Sequence, residues 1–269
     1  MDISVFLQKS IKSMGYILLI GMAVLPVILL MIFIYRKDKY QKEPAKSLIK
    51  AFIAGVICAP LDILLINWFT PFFEGTAFSY TIFYSSFMEA GIPEELCKFL
   101  MFMILIWDDK NFDEYFDGIV YATFIGLGFA CLENIEYVLM FGFQTGIVRA
   151  LLSVPGHFLF GVIMGYFLSL AKFQKERRFL HIMLALLLAM IAHGLFDWLL
   201  MFSSTLSLFW GTVVYFVFLW GDYQLWKIGL KYINKQQENS RMQAGIASDA
   251  EIQARAEQEK IDWHAGDKV

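Results

Sequence analysis

The amino-acid sequence predicts an all-α protein: a polytopic bundle of transmembrane helices with about seven spans, or eight. Hydrophobic residues make up 58% of the 269 residues and charged residues only 17%, whereas about a quarter of the residues of a soluble domain are charged. The charges are clustered, and the apolar stretches between the clusters are about 20 residues long, which is enough to cross a hydrocarbon core about 30 Å thick. These observations exclude an ordinary soluble domain.

Seven apolar stretches define the predicted spans. They cover 14–35, 48–72, 81–107, 118–141, 148–171, 179–201 and 206–226. The first is too long for the hydrophobic core of a signal peptide, so we expect it to remain as a span. Residues 1–226 are therefore predicted to form a transmembrane domain, and residues 227–269 a polar tail in which Lys and Arg are balanced by Asp and Glu.

Lysine and arginine in the short loops predict the orientation of the bundle, because loops rich in these residues stay in the cytoplasm. The loop RKDKYQKEPAKSLIK after the first span carries six of them, and the loop KFQKERR after the fifth span carries four. We therefore expect the N-terminus outside and the tail in the cytoplasm. The loop DDKNFDEYFD should also be cytoplasmic yet is acidic, but acidic residues count little in this rule.

Charged and imidazole side chains occur inside four of the predicted spans. A charge at the centre of a bilayer costs from about 2.5 to more than 10 kcal/mol, so spans keep such groups when they face a protein interior or a wet cavity. The groups are Glu94, Glu95 and Lys98 in the third span, Glu133 in the fourth, His157 in the fifth, and His193 and Asp197 in the sixth. In the predicted topology they lie near the bilayer midplane or slightly to its outer side. This shared depth predicts one functional site.

Small residues recur every fourth position on three of these spans and lead to the polar groups. They are Ala122, Gly126 and Ala130 on the fourth span, Gly161 and Gly165 on the fifth, and Ala185 and Ala189 on the sixth. Small residues at this spacing let membrane helices approach closely. We therefore expect these three helices to pack tightly and to open outward onto one polar pocket.

The two adjacent glutamates suit a reaction with activated water. On a helix, Lys98 lies between Glu94 and Glu95, because each residue turns the chain by about 100°. Lys98 can hold one carboxylate ionised while the other takes a proton from water. Such a pair can hydrolyse an amide without a covalent intermediate.

Two histidines add further polar chemistry. His193 and Asp197 are four residues apart and share a helix face, an arrangement in which a carboxylate orients an imidazole. His157 follows Pro155, which loosens its helix, and could polarise a carbonyl or stabilise an oxyanion.

Three motifs, in this order, resemble those of the PrsW family of glutamic-type intramembrane proteases. They are Glu94-Glu95-x-x-Lys98, Phe129-x-x-x-Glu133 and His193-x-x-x-Asp197. The sequence is similar, more distantly, to the CAAX prenyl endopeptidases and to bacteriocin-processing relatives. The resemblance covers about residues 85–200, the motif core of the transmembrane domain, and leaves out the first two spans and the tail.

The resemblance implies an intramembrane endopeptidase of the cell membrane. Its implied catalytic residues are Glu94, Glu95, Lys98, Glu133, His157, His193 and Asp197. One of the two adjacent glutamates would activate the water with support from Glu133, and His193 with Asp197 would position the scissile carbonyl. The implied substrate is a membrane-anchored protein, such as an anti-sigma factor-like regulator. The lipid bilayer is the expected surrounding, and no nucleic-acid partner is expected.

Two other functions stay open. One is a zinc-dependent membrane hydrolase acting on lipid amides, because histidine and carboxylate side chains are zinc ligands. Its ligands would be His157, His193, Asp197 and Glu133. The sequence contains no His-Glu-x-x-His motif, so we expect a reaction that needs no cofactor. The other function is a proton-coupled transporter with the carboxylates as a relay, although no internal inverted repeat is found. Asp62, in the second span, belongs to no motif.

Overall fold

The computed structural model describes residues 3–247, and this part of the chain contains no β-strand. It is built from nine α-helices. They are α1 (Ile3–Lys37), α2 (Ala45–Phe69), α3 (Ile82–Ser86), α4 (Ile92–Leu105), α5 (Asp117–Phe141), α6 (Phe143–Val148), α7 (Val154–Phe173), α8 (Arg178–Thr205) and α9 (Leu208–Gln243). The predicted all-α fold is confirmed for these residues.

Five helical segments in the described part of the chain are long and apolar enough to cross a membrane. They are Gly15–Lys37, Ala45–Phe72, Asp117–Phe141, Phe143–Phe173 and Lys175–Thr205. They coincide with five of the predicted spans. The third and seventh predicted spans are also helical, in α3–α4 and α9, but are not among these five. The count of seven spans and the orientation of the termini stay predictions.

Helix α5 occupies the centre of the bundle. All of its residues from Asp117 to Cys131 are buried, because α1, α2, α4 and α7 pack around it. A membrane helix enclosed in this way can carry polar side chains that never face lipid. Helix α5 therefore provides a protein environment for the polar residues that follow in its C-terminal half.

Glycines bring the backbones of α5 and α7 into contact. A Cβ atom added at Gly126 would lie 2.9 Å from the carbonyl oxygen of His157, and one added at Gly161 would lie 2.9 Å from that of Ala122. Both distances are too short for a real side chain, so only glycine permits this approach. The close packing predicted from the small residues is confirmed for these two helices, and Ala185 and Ala189 of α8 are fully buried as well.

Two π-helical turns precede the helices that carry Glu94 and His157. The first covers Phe87–Gly91 and leads into α4, and the second covers Arg149–Ser153 and leads into α7. Each new helix has proline as its second residue, Pro93 or Pro155. Proline lacks an N–H group and clashes with the carbonyl four residues earlier, and a π turn, which is frequent at functional sites, accommodates this disruption. The extra residue rotates the following side chains around the helix axis.

Helix α9 continues beyond the last predicted span. It runs unbroken to Gln243, and its final turns contact α7 and the loop before α5 at one end of the bundle. The Gln236 side chain donates to the carbonyl of Tyr166 (2.9 Å), and the Phe116 N–H donates to Ser240 Oγ (2.9 Å). Residues 227–243 thus form a helix packed on the bundle. The division into two domains at residue 226 stays a prediction, and residues 248–269 of the predicted tail lie outside the described part of the chain.

Four buried carboxyl groups lie at this same end of the bundle, called the basic end because it carries the two lysine- and arginine-rich loops. This carboxyl cluster consists of Asp38, Glu43, Glu114 and Asp117. Burial raises the pKa of Glu43 to about 8 and the pKa of Glu114 to about 7, and nearby carboxylates add to both shifts. Burial also raises the pKa of Asp38. Tyr121 donates its hydroxyl hydrogen to Glu43.

The carboxyl cluster makes stability depend on pH. An ordinary glutamate has a pKa of 4.5, so above that pH the folded protein holds protons that the unfolded chain has lost. The corresponding stability is complete below about pH 4.5 and is lost as the pH rises through about 7 and about 8. We expect the unfolding temperature in detergent, followed by tryptophan fluorescence, to fall over this range. The fall should be smaller in Glu43→Gln and unchanged in Glu74→Gln, whose side chain is exposed. An equal fall in Glu43→Gln and wild type would contradict this account.

Candidate active site

The seven residues predicted as catalytic come together where α4, α5, α7 and α8 meet. With one further residue they form a continuous set of hydrogen bonds and ion pairs, the polar cluster. Its members are Glu94, Glu95, Lys98, Glu133, Arg149, His157, His193 and Asp197. The sequence therefore identified all of these side chains except Arg149.

Lys98 is the centre of the polar cluster. Its Nζ donates to Glu95 Oε1 at 2.8 Å and to Glu94 Oε2 at 3.1 Å, and it lies 3.2 Å from His157 Nδ1. The ammonium also lies 3.9 Å from the ring centroid of Phe129, where the negative face of the ring favours a cation. These contacts satisfy a charge that is only 4% exposed to solvent. Lys98 therefore connects the two adjacent glutamates on α4 with the histidine on α7.

The contacts of His157 determine its tautomer. An ammonium group has donors and no acceptor, so His157 Nδ1 must accept the hydrogen bond from Lys98. The ring proton is then on Nε2, which donates to Glu133 Oε2 at 2.9 Å. Both ring nitrogens are thus occupied by protein groups. His157 bridges Lys98 and Glu133, and this geometry does not leave a nitrogen free for the predicted contact with a carbonyl or an oxyanion.

His193 lies between carboxylates of two helices. Its Nδ1 donates to Glu95 Oε1 at 3.0 Å and lies 3.8 Å from Glu94 Oε2, and its Nε2 lies 3.4 Å from Asp197 Oδ2. The ring stacks on Phe160, with a centroid distance of 4.7 Å. The predicted pairing of His193 with Asp197 is present, although 3.4 Å is long for a hydrogen bond.

The polar cluster has a closed side and an open side. The side chains of Glu95 and Lys98 are 1% and 4% exposed, whereas those of Glu133 and Asp197 are 18% and 28% exposed. Glu94, at 9%, lies between these extremes. A substrate would therefore reach the cluster from the side of Glu133 and Asp197.

Two polar residues near the predicted site had no clear signal in the sequence. Arg149 is 2.7 Å from Glu133 Oε2, but it lies at the edge of the fifth predicted span and belongs to no motif. Asp62 of α2 is 6% exposed, and its Oδ1 has no hydrogen-bond partner in the described part of the chain. It is close enough to Lys98, Glu133 and His193 to interact electrostatically with them. Asp62 thus contributes to the electrostatic environment of the cluster.

A family model described as PrsW family intramembrane metalloprotease matches residues 43–221. The chain belongs to the PrsW family. It is 35% identical over 228 residues to Protease PrsW of Clostridioides difficile (strain 630), covering 82% of this chain and 92% of that protein. It is 34% identical over 226 residues to Protease PrsW of Bacillus subtilis (strain 168), covering 84% of this chain and 98% of that protein. No solved structure matches the chain.

Membership of the PrsW family confirms the resemblance read from the three motifs. The family and its named relatives are proteases, so this chain is an enzyme, an intramembrane protease that hydrolyses its substrates. Its several apolar helices agree with a multi-pass membrane protein. The chain covers nearly the full length of these relatives, including 95% of Protease PrsW of Geobacillus kaustophilus (strain HTA426).

The family description, metalloprotease, implies a metal ion, and the polar cluster contains the imidazole and carboxylate donors that zinc binds. One ligand atom from each of Glu94, Glu95, His157 and His193 lies within 4.8 Å of the others. This set differs from the predicted one, because it contains Glu94 and Glu95 in place of Glu133 and Asp197, which contact the Nε2 atoms of the two histidines. The ammonium of Lys98 lies within 3.2 Å of one donor atom of each of Glu94, Glu95 and His157. A positive charge of the chain itself therefore contacts three of the four residues that a metal ion would also use as ligands.

Lys98 should be essential for the stability of the bundle. Removing one member of a buried ion pair costs about 3–5 kcal/mol, because the remaining charge has no partner. We expect Lys98→Met to lower the unfolding temperature in detergent strongly. The double variant Lys98→Met/Glu95→Gln should recover part of the loss, since it removes one of the two unpaired carboxylates. Lys46→Met removes an exposed lysine and should have almost no effect. Equal unfolding temperatures of the single and double variants would contradict the central role of Lys98.

Proposed function

We propose that this PrsW-family protease cleaves membrane-anchored proteins with a water molecule activated by glutamate, and that it needs no metal ion. One observation carries the proposal: the ammonium of Lys98 contacts three of the four residues whose donor atoms lie together as in a metal site. The remaining groups are a carboxylate with few contacts and an imidazole that can donate, which are the groups that general-base hydrolysis requires.

Glu94 is the proposed base. Glu95 Oε1 accepts hydrogen bonds from both Lys98 and His193, and the side chain is only 1% exposed. Glu94 makes longer contacts, 3.1 Å to Lys98 and 3.8 Å to His193, and is 9% exposed. Glu95 is therefore fixed as the anchor of Lys98 and His193, and its second oxygen is buried without a hydrogen-bond partner in the described part of the chain. Glu94 is the more exposed of the two glutamates, so water reaches it more readily.

The proposed reaction moves one proton from water to the leaving nitrogen. Glu94 takes the proton as the water oxygen adds to the scissile carbonyl carbon. His193 donates from Nε2 to the developing oxyanion, replacing its long contact with Asp197. When the C–N bond breaks, Glu94 returns the proton to the nitrogen, so that the products are a carboxylic acid and an amine. Glu133 and His157 support the site by holding Lys98 in place.

The depth of the site supports a substrate that is itself in the membrane. Lys50, near the start of α2, donates to the carbonyl of Leu105 at 2.9 Å, so the C-terminal end of α4 lies at the basic end. Glu94 lies in the first turn of α4, about 16 Å away along the axis at 1.5 Å per residue. In a core about 30 Å thick, this distance supports a reaction at the midplane or slightly beyond it. With the basic end in the cytoplasm, cleavage occurs toward the outer side.

The proposed substrate class is a single-span membrane-anchored regulator, such as an anti-sigma factor-like protein. This class follows from the family resemblance of the motifs. It agrees with the open side of the polar cluster, where Glu133 and Asp197 are the most exposed members. An extended segment of an unwound span can reach the cluster from that side.

Cleavage should be independent of metal. We expect the purified protein in detergent to cleave a member of a panel of single-span proteins equally well with and without a chelator. Glu94→Gln, Glu95→Gln and His193→Ala should each reduce cleavage by about 100-fold or more, and Glu89→Gln, on the same segment but outside the polar cluster, should not. The products are measured by gel electrophoresis and mass spectrometry. Loss of cleavage with the chelator and recovery with zinc would reject the metal-free reaction, and hydrolysis of lipid amides alone would reject the protein substrate.

The two adjacent glutamates should respond differently to substitution. General-base catalysis contributes about 10²- to 10⁴-fold to a rate, so Glu94→Gln should lower kcat by that factor. It should change the unfolding temperature little, because Lys98 keeps its shorter ion pair with Glu95. Glu95→Gln should lower both kcat and the unfolding temperature, because Glu95 anchors Lys98 and His193. The measurements are cleavage kinetics and thermal unfolding of the same preparations. The opposite pattern would assign the base to Glu95.

A further inference from the structure

We infer that Arg149 is a positioning residue of this protease, which holds Glu133 in the orientation that supports His157 and Lys98. The inference rests on the proposed function, because it concerns the same reaction. Arg149 lies outside the three motifs, and its place in the polar cluster is visible only in the tertiary structure. Its charge lies 2.7 Å from Glu133, a member of the predicted catalytic set.

A single oxygen of Glu133 receives both of its partners. Oε2 lies 2.7 Å from Arg149 Nη2 and accepts the hydrogen bond from His157 Nε2 at 2.9 Å. No partner of Oε1 is found in the described part of the chain. The two contacts on Oε2 fix the rotation of the carboxylate. Without Arg149, either oxygen could face His157, and the carboxylate would lose its nearest positive charge.

Arg149 is itself held from two further directions. Its Nε donates to Asn134 Oδ1 at 3.0 Å, and its guanidinium lies 3.9 Å from the ring centroid of Tyr137. Asn134 is fully buried and donates from Nδ2 to the carbonyl of Ala23 on α1, at 2.9 Å. A side chain that is already ordered loses little conformational entropy when it orders another. Arg149 therefore links the carboxylate of Glu133, through Asn134, to the backbone of α1.

The contact between Arg149 and Glu133 is an ion pair without hydrogen-bond geometry. Nη2 approaches Oε2 closely, yet its N–H direction does not satisfy the angular requirement for a hydrogen bond. The charge of Arg149 is therefore the main contribution to Glu133, and the planar guanidinium is needed for the bond to Asn134. A lysine at this position would keep the charge but would lose the Nε contact with Asn134, so it should restore function in part.

The local structure explains how a charged residue reaches this position. Arg149 is the first residue of the π-helical turn that precedes α7, and Glu133 lies in the C-terminal half of α5. The π turn changes the direction of the side chains before His157, so Arg149 and His157 approach Glu133 from the same segment. The segment 149–157 thus supplies both partners of the carboxylate.

The test is a set of variants assayed on a substrate that the wild type cleaves. A misplacement of about 1 Å can reduce a rate about 100-fold, so Arg149→Met should lower kcat by about 10- to 100-fold and leave KM within about twofold. Arg149→Lys should recover part of kcat.

The double variant tests whether Arg149 acts through Glu133. If it does, adding Arg149→Met to Glu133→Gln should lower kcat by less than about a further threefold. Controls are Glu136→Gln, which removes an exposed carboxylate of α5, and Arg241→Met, which breaks the ion pair with Glu238 (2.7 Å).

Three results would overturn the role of Arg149. They are an unchanged kcat in Arg149→Met, an effect on KM alone, and losses that multiply in the double variant; the last two would place Arg149 on the substrate, independently of Glu133. If the wild type cleaves no substrate, the proposed function fails, and the ion pair is then judged by thermal unfolding. In that measurement Arg149→Met must lower the unfolding temperature more in the wild type than in the Glu133→Gln background. An equal effect in both backgrounds would overturn the pairing.

Discussion

The structure depends on one requirement: a charge buried within a membrane protein must meet an opposite charge or a hydrogen-bond partner. Lys98 satisfies this requirement for the two glutamates on its own helix and for His157, and Arg149 satisfies it for Glu133. The carboxylates can therefore coexist at one depth without each being exposed to lipid. The contacts that stabilise these buried charges also orient the side chains, because each contact fixes the position of a particular oxygen or nitrogen atom.

Backbone packing makes these contacts possible. Helices α5 and α7 touch at Gly126 and Gly161, so Glu133, which follows Gly126, and His157, which precedes Gly161, are within reach of each other. The two π-helical turns then set the rotation of the segments that carry Glu94 and His157. Larger residues at the glycines would separate the helices, and a regular helix would direct these side chains elsewhere. The site is thus a consequence of close helix packing and of two π-helical turns that depart from regular α-helix geometry.

The description of the PrsW family as metalloproteases implies a metal ion. In this chain the positive charge beside the two adjacent glutamates is the ammonium of Lys98. Four donor atoms lie together as in a metal site, and this ammonium group contacts three of the four residues that carry them. A lysine provides charge and hydrogen-bond donors at fixed positions, although it cannot bind and polarise water as a metal does. In the proposed reaction a carboxylate therefore activates the water, and Glu94, the less constrained of the two adjacent glutamates, is the proposed base.

The sequence by itself determined the helical membrane fold and the family. It also identified seven of the side chains that meet in the polar cluster, namely Glu94, Glu95, Lys98, Glu133, His157, His193 and Asp197. Long apolar stretches, the cost of charges within them and the order of three motifs are all local properties of the chain, so they can be read without coordinates. Only the tertiary structure decided which side chains contact each other. It shows that Lys98 lies among the donor atoms that resemble a metal site and that both nitrogens of His157 have protein partners. It also shows that Arg149 belongs to the polar cluster. These facts depend on the rotation and spacing of helices far apart in sequence, which π turns and glycine contacts set and which periodicity does not encode.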